Sequence, residues 1–145
     1  MRNLILAIDD SPERYETLAK KLHRHGLSLI CMQHPTSVQM ALDTGKVGTI
    51  LLDHDMPTYA YDDQEGRVVT TDTYNGQYFA RTLVERRRLD LPAGIQVLIT
   101  SANPAGAKAI ATILSEADYP HHVMSVFESC PEERWLGAIL DRFYD

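Results

Sequence analysis

The sequence predicts one doubly wound α/β domain built on a parallel sheet of five strands. Short apolar runs alternate with amphipathic segments along all 145 residues, as in repeated strand–helix units. Two of these runs end abruptly in aspartates, which is typical of strands whose carboxyl ends carry a polar site. No internal repeat or low-complexity linker interrupts the pattern, so residues 1–145 are expected to form a single domain.

The first half of the chain contains three strands and two helices in this prediction. The strands cover residues 4–8, 27–32 and 49–53. Ser11, Pro12 and Glu13 indicate a helix start, because a hydroxyl caps the backbone, proline suits the first turn and an acid suits the dipole. A second helix is predicted to open at residues 34–37.

An insertion of about residues 57–74 follows the third strand and is rich in Asp, Gly, Thr and Tyr. Two short strands over residues 58–61 and 68–71 are predicted to flank a turn. The insertion also carries three tyrosines, Tyr59, Tyr61 and Tyr74. They could stack on the base of a ligand or simply hold the insertion against the domain. A segment this long in a compact domain is usually functional or disordered.

The second half continues the alternation with two strands and three helices. The strands are predicted over residues 95–99 and about 122–127, with a turn at residues 92–94 before the first. The helices begin at Asn75-Gly76, Asn103-Pro104 and Cys130-Pro131. Five strands joined by right-handed crossovers give a doubly wound sheet.

Composition limits the classes of partner. A net charge of −6 argues against binding to a nucleic-acid duplex, since such surfaces are usually basic. The dense basic cluster at residues 86–88 ends a predicted helix, where cations suit the dipole. Two cysteines are too few for a disulfide framework, and we see neither a signal peptide nor an apolar stretch of membrane-spanning length. We therefore expect a cytoplasmic protein without a membrane partner.

Asp9 and Asp10 follow the first strand and Asp53 ends the third, so the topology brings them to one edge of the sheet. Carboxylates about 4 Å apart repel by roughly 4 kcal/mol per pair at an effective dielectric near 20, so such a cluster favours a bound cation. Oxygen ligands suit Mg²⁺ or Mn²⁺, and Mg²⁺ often takes a phosphate oxygen as a further ligand. The cluster therefore indicates a phosphorylated ligand or a phosphorylated aspartate. Alternatively, strand-end aspartates only cap the following helix.

The arrangement resembles the receiver domain of two-component response regulators. In that family an acidic pair follows strand one, and the phosphoacceptor aspartate ends strand three and is followed by two residues and then Met-Pro. Here the run from Asp53 through His54 and Asp55 to Met56-Pro57 has that spacing, and Thr100 or Ser101 matches the switch hydroxyl. The resemblance implies a flavodoxin-like sheet of order 2-1-3-4-5 with an insertion after strand three.

Two departures separate this chain from ordinary receivers. Receivers carry a lysine at the end of strand five, before a proline, that pairs with the phosphoryl group. Cys130 stands before Pro131 here, and residues 121–131 contain no lysine. The loop after Asp53 is also much longer than in a receiver.

The sequence is more similar to a divergent branch, the predicted cyclic-phosphate-processing receiver domains. Members carry Leu-Asp-His-Asp after strand three, then an insertion, Asn-Gly, and Ser-x-Asn-Pro after strand four. The matching segments are residues 52–55, 75–76 and 101–104. The resemblance implies a metal-dependent phosphoesterase acting on a cyclic nucleotide or other phosphorylated small molecule.

These resemblances imply a role for each site residue. Asp9, Asp10, Asp53 and Asp55 are the expected metal ligands, Asp55 through its carboxylate or its main-chain carbonyl. Asp53, His54 and Ser101 are the candidate catalytic residues, with His54 as general acid or base or as an ordinary loop histidine. The expected phosphate- or substrate-binding residues are Thr100, Asn103 and Asn75. Asn103 could instead only cap its helix.

Three functions remain open on this sequence. The first is the metal-dependent enzyme. The second is an atypical receiver that is phosphorylated on Asp53 and signals through a protein partner. The third is an interaction module that keeps the fold and uses no phosphate. The acidic triad argues against the third, and the missing lysine favours the first.

Overall fold

The computed structural model describes residues 2–71, 73–89, 94–124 and 130–143, with the backbone alone for residues 58–61, 70–71 and 142–143. In chain order the elements are β1 (Leu4–Ile8), a 3-10 helix (Pro12–Tyr15), α1 (Glu16–His23), β2 (Ser28–Met32), α2 (Pro35–Asp43), β3 (Val47–Leu52), β4 (Thr58–Asp62), β5 (Arg67–Thr71), α3 (Gly76–Arg88), β6 (Gln96–Ile99), α4 (Pro104–Glu116), β7 (His121–Val123) and α5 (Pro131–Phe143). None of the helices within these described ranges is long and apolar enough to cross a membrane.

The main sheet has the order β2-β1-β3-β6-β7, and every pairing in it is parallel. This confirms the predicted order 2-1-3-4-5, with β6 and β7 as the fourth and fifth strands of the sheet. Ile8 pairs with both Met32 and Leu52, and Leu52 pairs with Ile99. The strands therefore end level with one another, and the residues that follow them share one edge of the sheet.

Two apolar cores cover the two faces of the sheet, because alternate side chains of each strand point to opposite faces. On β1, Leu6 and Ile8 belong to the core formed with α2, α3 and α4. Ile5 and Ala7 belong to the core formed with α1 and α5. The central strands β1, β3 and β6 are buried on both faces and so read as continuous apolar runs in the sequence.

The insertion forms a hairpin of its own. Strands β4 and β5 pair antiparallel and make a separate two-stranded sheet, which confirms the predicted pair of short strands. The Asp62 carboxylate accepts hydrogen bonds from the amides of Gln64 and Glu65, and this closes the turn.

The structure corrects one local prediction and leaves two partly outside its description. Ser11 makes no capping hydrogen bond through its side chain, and the chain enters α1 through the 3-10 helix instead. The Ser11 amide donates to the carboxylate of Asp9, and this bond holds the turn before the helix. The predicted turn at residues 92–94 and the predicted fifth strand at residues 122–127 lie partly outside the described residues.

Candidate functional site

Three carboxylates meet at the carboxyl edge of the sheet. Asp9 continues β1 and Asp53 continues β3, held by hydrogen bonds from the Asp9 amide to Met32 and from the Asp53 amide to Ile8. Asp9, Asp10 and Asp53 each place an oxygen within 4.8 Å of the others. Asp9 and Asp53 are buried and Asp10 is exposed, so the cluster opens to solvent on the Asp10 side.

Asp9 has both of its oxygens engaged by protein donors. Oδ1 accepts a hydrogen bond of 3.1 Å from the Ser11 amide. Oδ2 accepts from the Arg14 guanidinium and, at 2.5 Å, from the Tyr15 hydroxyl. Burial and the neighbouring Asp9 charge raise the pKa of Tyr15, so its hydroxyl stays protonated and donates. Asp9 therefore fixes the turn after β1 as well as belonging to the triad.

Asp53 and Asp10 are less well compensated. Burial, followed by the charge of Asp9, raises the pKa of Asp53, although the His54 amide, Arg14 and a Ser101 hydrogen bond act the other way. Burial and the interaction with Asp9 likewise raise the pKa of Asp10. Both carboxylates are therefore held in a site that penalises their negative charge, which is the situation a bound cation would relieve.

Arg14 is a residue of this site that the sequence analysis did not single out. Its guanidinium forms an ion pair with Asp9, lies 3.6 Å from Asp53 Oδ2, and donates at 2.9 Å to the Thr100 carbonyl oxygen. One side chain thus connects the ends of β1, β3 and β6. Its signal in the sequence is an arginine in the turn directly after the acidic pair, in a chain that lacks the strand-five lysine.

Thr100 and Ser101 follow β6 and are both buried. The Ser101 hydroxyl accepts a hydrogen bond of 3.1 Å from the Asn103 amide, and Ser101 also lowers the pKa of Asp53, so it lies beside the triad. The Thr100 hydroxyl instead lies 3.4 Å from the Tyr15 hydroxyl. The two residues matched to the switch hydroxyl therefore face different partners.

His54 and Asp55 link the end of β3 to the starts of α3 and α4. The Asp55 carboxylate lies 2.7 Å from His54 Nδ1 and accepts at 3.2 Å from the Asn103 side-chain amide. His54 Nε2 lies 3.0 Å from the Gln77 amide nitrogen. The hydrogen bond with His54, followed by that from Asn103, lowers the pKa of Asp55, so it is ionised at neutral pH. Among the described residues, the group of mutually close carboxylates does not include Asp55.

Two glycines make room for this arrangement. A Cβ on Gly106 would lie 2.4 Å from His54 Cγ, so the imidazole rests directly on the first turn of α4. A Cβ on Gly76 would lie 2.3 Å from the Asp53 carbonyl oxygen. Both helices thus approach the segment after β3 more closely than any other residue would allow.

A family model described as "Cyclic-phosphate processing Receiver domain" matches residues 5–116, well over half of the chain. The chain belongs to this family. The match begins in β1 and ends with α4, so it contains the triad, Arg14, the hairpin and Ser101. A comparison with curated proteins finds no match.

Solved structures of receiver domains share the fold. A receiver domain protein from Methanospirillum hungatei JF-1 is 11% identical and gives a TM-score of 0.63, covering 99% of this chain and 96% of that chain. A receiver protein from Pseudomonas putida is 16% identical with a TM-score of 0.63, covering 99% and 97%. TrrA from Thermotoga maritima, solved in complex with Mg(2+)-BeF, is 16% identical with a TM-score of 0.55, covering 92% and 96%. At these identities the comparison shows the fold.

The donor set of this receiver domain fits a hard divalent cation. All of the grouped ligand atoms are carboxylate oxygens, and Asp10 and Asp53 carry raised pKa values, as expected of anions that lack a sufficient counter-charge. Oxygen-only sites of this kind suit Mg²⁺ or Mn²⁺. The predicted convergence of Asp9, Asp10 and Asp53 is therefore what the structure contains.

Asn103 and Asn75 both cap helices in this receiver domain. Asn103 accepts a hydrogen bond of 3.0 Å from the Gly106 amide at the start of α4, and Asn75 accepts one of 3.1 Å from the Tyr78 amide at the start of α3. The capping interpretation of Asn103 is thus borne out. Asn103 has a second role, because its amide group also holds Asp55.

Proposed function

We propose that this receiver domain binds Mg²⁺ or Mn²⁺ at Asp9, Asp10 and Asp53 and hydrolyses a cyclic phosphate or another phosphorylated small molecule. The observation that carries the proposal is the group of three carboxylate oxygens within 4.8 Å at the carboxyl edge of a parallel sheet. The name of the family supports a cyclic phosphate as substrate. The TrrA structure, which shares the fold, supports a magnesium-dependent phosphoryl site.

The chain's own residues divide the work in this proposal. Asp10 and Asp53 would hold the cation together with Asp9, and the main chain or carboxylate of Asp55 is a further candidate ligand. The cation would polarise a phosphoryl oxygen and lower the pKa of bound water. Ser101 would donate to a phosphoryl oxygen, since it follows β6 at the same edge of the sheet and lowers the pKa of Asp53.

The helix starts supply further groups for the substrate. Asn103 and Asn75 lie at the amino-terminal ends of α4 and α3, where backbone amides attract phosphate. The Thr100 hydroxyl is fully buried and lies beside Tyr15, so its contribution would be to hold Tyr15 and Asp9 in position.

Hydrolysis of a cyclic phosphodiester needs one proton to be moved. A water oxygen forms a bond to phosphorus, one ring P–O bond breaks, and the leaving oxygen receives the proton that the water gives up. His54 is the proposed carrier of that proton. Because both of its ring nitrogens lie within hydrogen-bond distance of Asp55 or Gln77, His54 would have to exchange the Gln77 contact for the substrate.

Turnover of a panel of cyclic phosphates tests the proposal. The panel of 2′,3′-cyclic and 3′,5′-cyclic nucleotides is incubated with Mg²⁺ or Mn²⁺ and followed by phosphorus NMR. Wild type should open at least one ring, Asp53→Asn and Asp10→Asn should abolish the reaction, and Asp43→Asn should not change it. Asp43 is a matched control because it is an exposed carboxylate that pairs with Arg86. No turnover of any member, in a sample shown to bind Mg²⁺, would contradict the proposal.

A second candidate function is a phosphorylated signalling domain. Asp53 has the position of the receiver phosphoacceptor, and Ser101, in the position of the switch hydroxyl, lowers the pKa of Asp53. In that case Asp53 attacks an acyl phosphate, the new aspartyl phosphate forms, and the acyl group leaves as a carboxylate. Intact mass after incubation with Mg²⁺ and acetyl phosphate should show one added phosphoryl group that Asp53→Asn lacks. Absence of the adduct in a Mg²⁺-binding sample removes this candidate.

A further inference from the structure

We propose that Arg14 is the phosphoryl-binding cation of this domain and takes the place of the lysine that receivers carry after strand five. The inference rests on the proposed function, because it assumes that a phosphoryl group enters the acidic site. It goes beyond that function in assigning the recognition of the phosphoryl oxygens to a residue from the opposite side of the site.

The guanidinium has the position that such a role requires. It contacts Asp9, lies 3.6 Å from Asp53 Oδ2 and bonds the carbonyl oxygen of Thr100, the residue before Ser101. A phosphoryl group bound at Asp53 would therefore lie beside a planar donor with several N–H groups. Arginine binds phosphate oxygens through two parallel hydrogen bonds where lysine acts as a point charge.

The surroundings of Arg14 hold its side chain in the site. Arg14 belongs to the 3-10 helix, and the hydrogen bond from its amide to the Ser11 carbonyl closes that turn. The guanidinium carbon lies 5.5 Å from the centre of the Tyr15 ring and 5.9 Å from that of Trp135, within the range of cation–π contacts. The side chain is 30% exposed, so one side of it stays open to a ligand.

The charges of the site are consistent with an Arg14 guanidinium that stays in place when the metal ion binds. Three carboxylates and one guanidinium give the site a formal charge of −2, which one divalent ion would cancel. A doubly charged phosphoryl group then enters a neutral site instead of a negative one. The sequence offers no substitute from the far side, since residues 121–131 contain neither lysine nor arginine.

Calorimetric titrations of the full chain measure the affinity for the metal ion and the affinity for a phosphoryl analogue separately. Mg²⁺ alone is titrated first, and beryllium fluoride, a phosphoryl analogue, is then titrated at saturating Mg²⁺. Arg14→Gln should bind Mg²⁺ as tightly as wild type or more tightly, because a competing cation has gone. It should bind beryllium fluoride about 10- to 100-fold more weakly, the value of one charge-assisted contact.

Arg86→Gln is the matched control. Arg86 is also a largely buried arginine in an ion pair, with Asp43, but it lies at the far end of α3. It should leave both affinities unchanged. If Arg14→Gln does not fold, Arg14→Lys carries the test: it keeps the charge but loses the planar fork, so beryllium fluoride should bind a few-fold more weakly with unchanged Mg²⁺ affinity.

Each remaining outcome contradicts either the proposed function or the inference about Arg14. If wild type does not bind Mg²⁺, the proposed function fails. If wild type binds Mg²⁺ but not beryllium fluoride, or if the Arg14 variants bind beryllium fluoride like wild type, the inference is wrong and the metal site stands. If an Arg14 variant loses Mg²⁺ and beryllium fluoride in parallel, Arg14 only shapes the site, and the inference is again wrong.

Discussion

The imidazole of His54 packs directly on Gly106, so closely that a Cβ on Gly106 would lie 2.4 Å from His54 Cγ. The contact joins the first residue after Asp53 to the first turn of α4. It explains in steric terms why glycine stands at position 106. The pair therefore sets the distance between the acidic edge of the sheet and one of its helices.

Gly106→Ala should lower the free energy of unfolding by about 1–3 kcal/mol, the usual cost of overpacking. This loss is expected even though alanine favours a helix over glycine by about 1 kcal/mol. Adding His54→Ala should recover part of it, because the two closest contacts, to imidazole atoms, are removed while the Cβ of residue 54, at 2.8 Å, remains. Urea unfolding of the two single variants and the double variant measures the coupling, and additive effects would mean that the two residues do not interact.

Gly76→Ala should be more damaging than Gly106→Ala, and His54→Ala should not rescue it. The added Cβ at Gly76 would lie 2.3 Å from the backbone carbonyl oxygen of Asp53, which cannot move aside as a side chain can. The same unfolding measurements decide this. Rescue of Gly76→Ala by His54→Ala would show that the imidazole, and not the backbone, limits the approach of α3.

Asp53→Asn should stabilise the metal-free protein, by on the order of 1 kcal/mol at neutral pH. In the fold the pKa of Asp53 lies above its ordinary value of 3.8, so the ionised form is penalised. That penalty is fully present above the raised pKa and disappears as the pH falls through it toward 3.8. The advantage of Asp53→Asn over wild type should therefore shrink on acidification.

Thermal unfolding over a series of pH values checks this prediction. Mg²⁺ provides the second half of the test: it should raise the Tm of wild type and have little effect on Asp53→Asn. An advantage that persists unchanged into acid would mean that asparagine stabilises for a reason unrelated to charge.

Tyr15→Phe should lower the free energy of unfolding by about 1.5–3 kcal/mol, because the buried hydroxyl donates to the Asp9 carboxylate. Tyr74→Phe is the control, since Tyr74 is exposed and should change stability by less than about 0.5 kcal/mol. Urea unfolding at neutral pH compares the two. Equal effects would show that the hydroxyl of Tyr15 adds nothing to the hold on Asp9.

The sequence predicted the sheet and its acidic edge because the strands follow from local apolar patterns and the topology then places the residues that end them. Apolar runs define the strands, and parallel strands that end level must bring Asp9 and Asp53 together. The hairpin could be predicted for the same reason, since strand-like residues flank a turn rich in Asp and Gly.

The contacts that complete the site join residues far apart in sequence, and no local pattern specifies them. Arg14 meets Thr100 across 86 positions, and Asp55 meets Asn103 across 48. The helix start after Ser11 was predicted correctly, but the capping by its hydroxyl was wrong, because the Ser11 side chain makes no capping hydrogen bond. The turn before the helix is held instead by the Asp9 carboxylate, which accepts from the Ser11 amide.

Asn103→Asp should cost about 1 kcal/mol of stability in wild type and nothing in an Asp55→Asn background. Aspartate caps a helix as well as asparagine does, so the cap on Gly106 should survive. The change instead replaces the amide that donates to Asp55 at 3.2 Å with a second carboxylate, and the low pKa of Asp55 keeps that neighbour charged at neutral pH. Asn103→Ser, which retains a cap without adding charge, should be milder than Asn103→Asp in wild type. Urea unfolding of wild type, Asn103→Asp, Asp55→Asn and the double variant gives the coupling energy between the two residues. An equal cost of Asn103→Asp in both backgrounds would mean that Asn103 stabilises the domain through α4 alone and that its link to Asp55 is without energetic consequence.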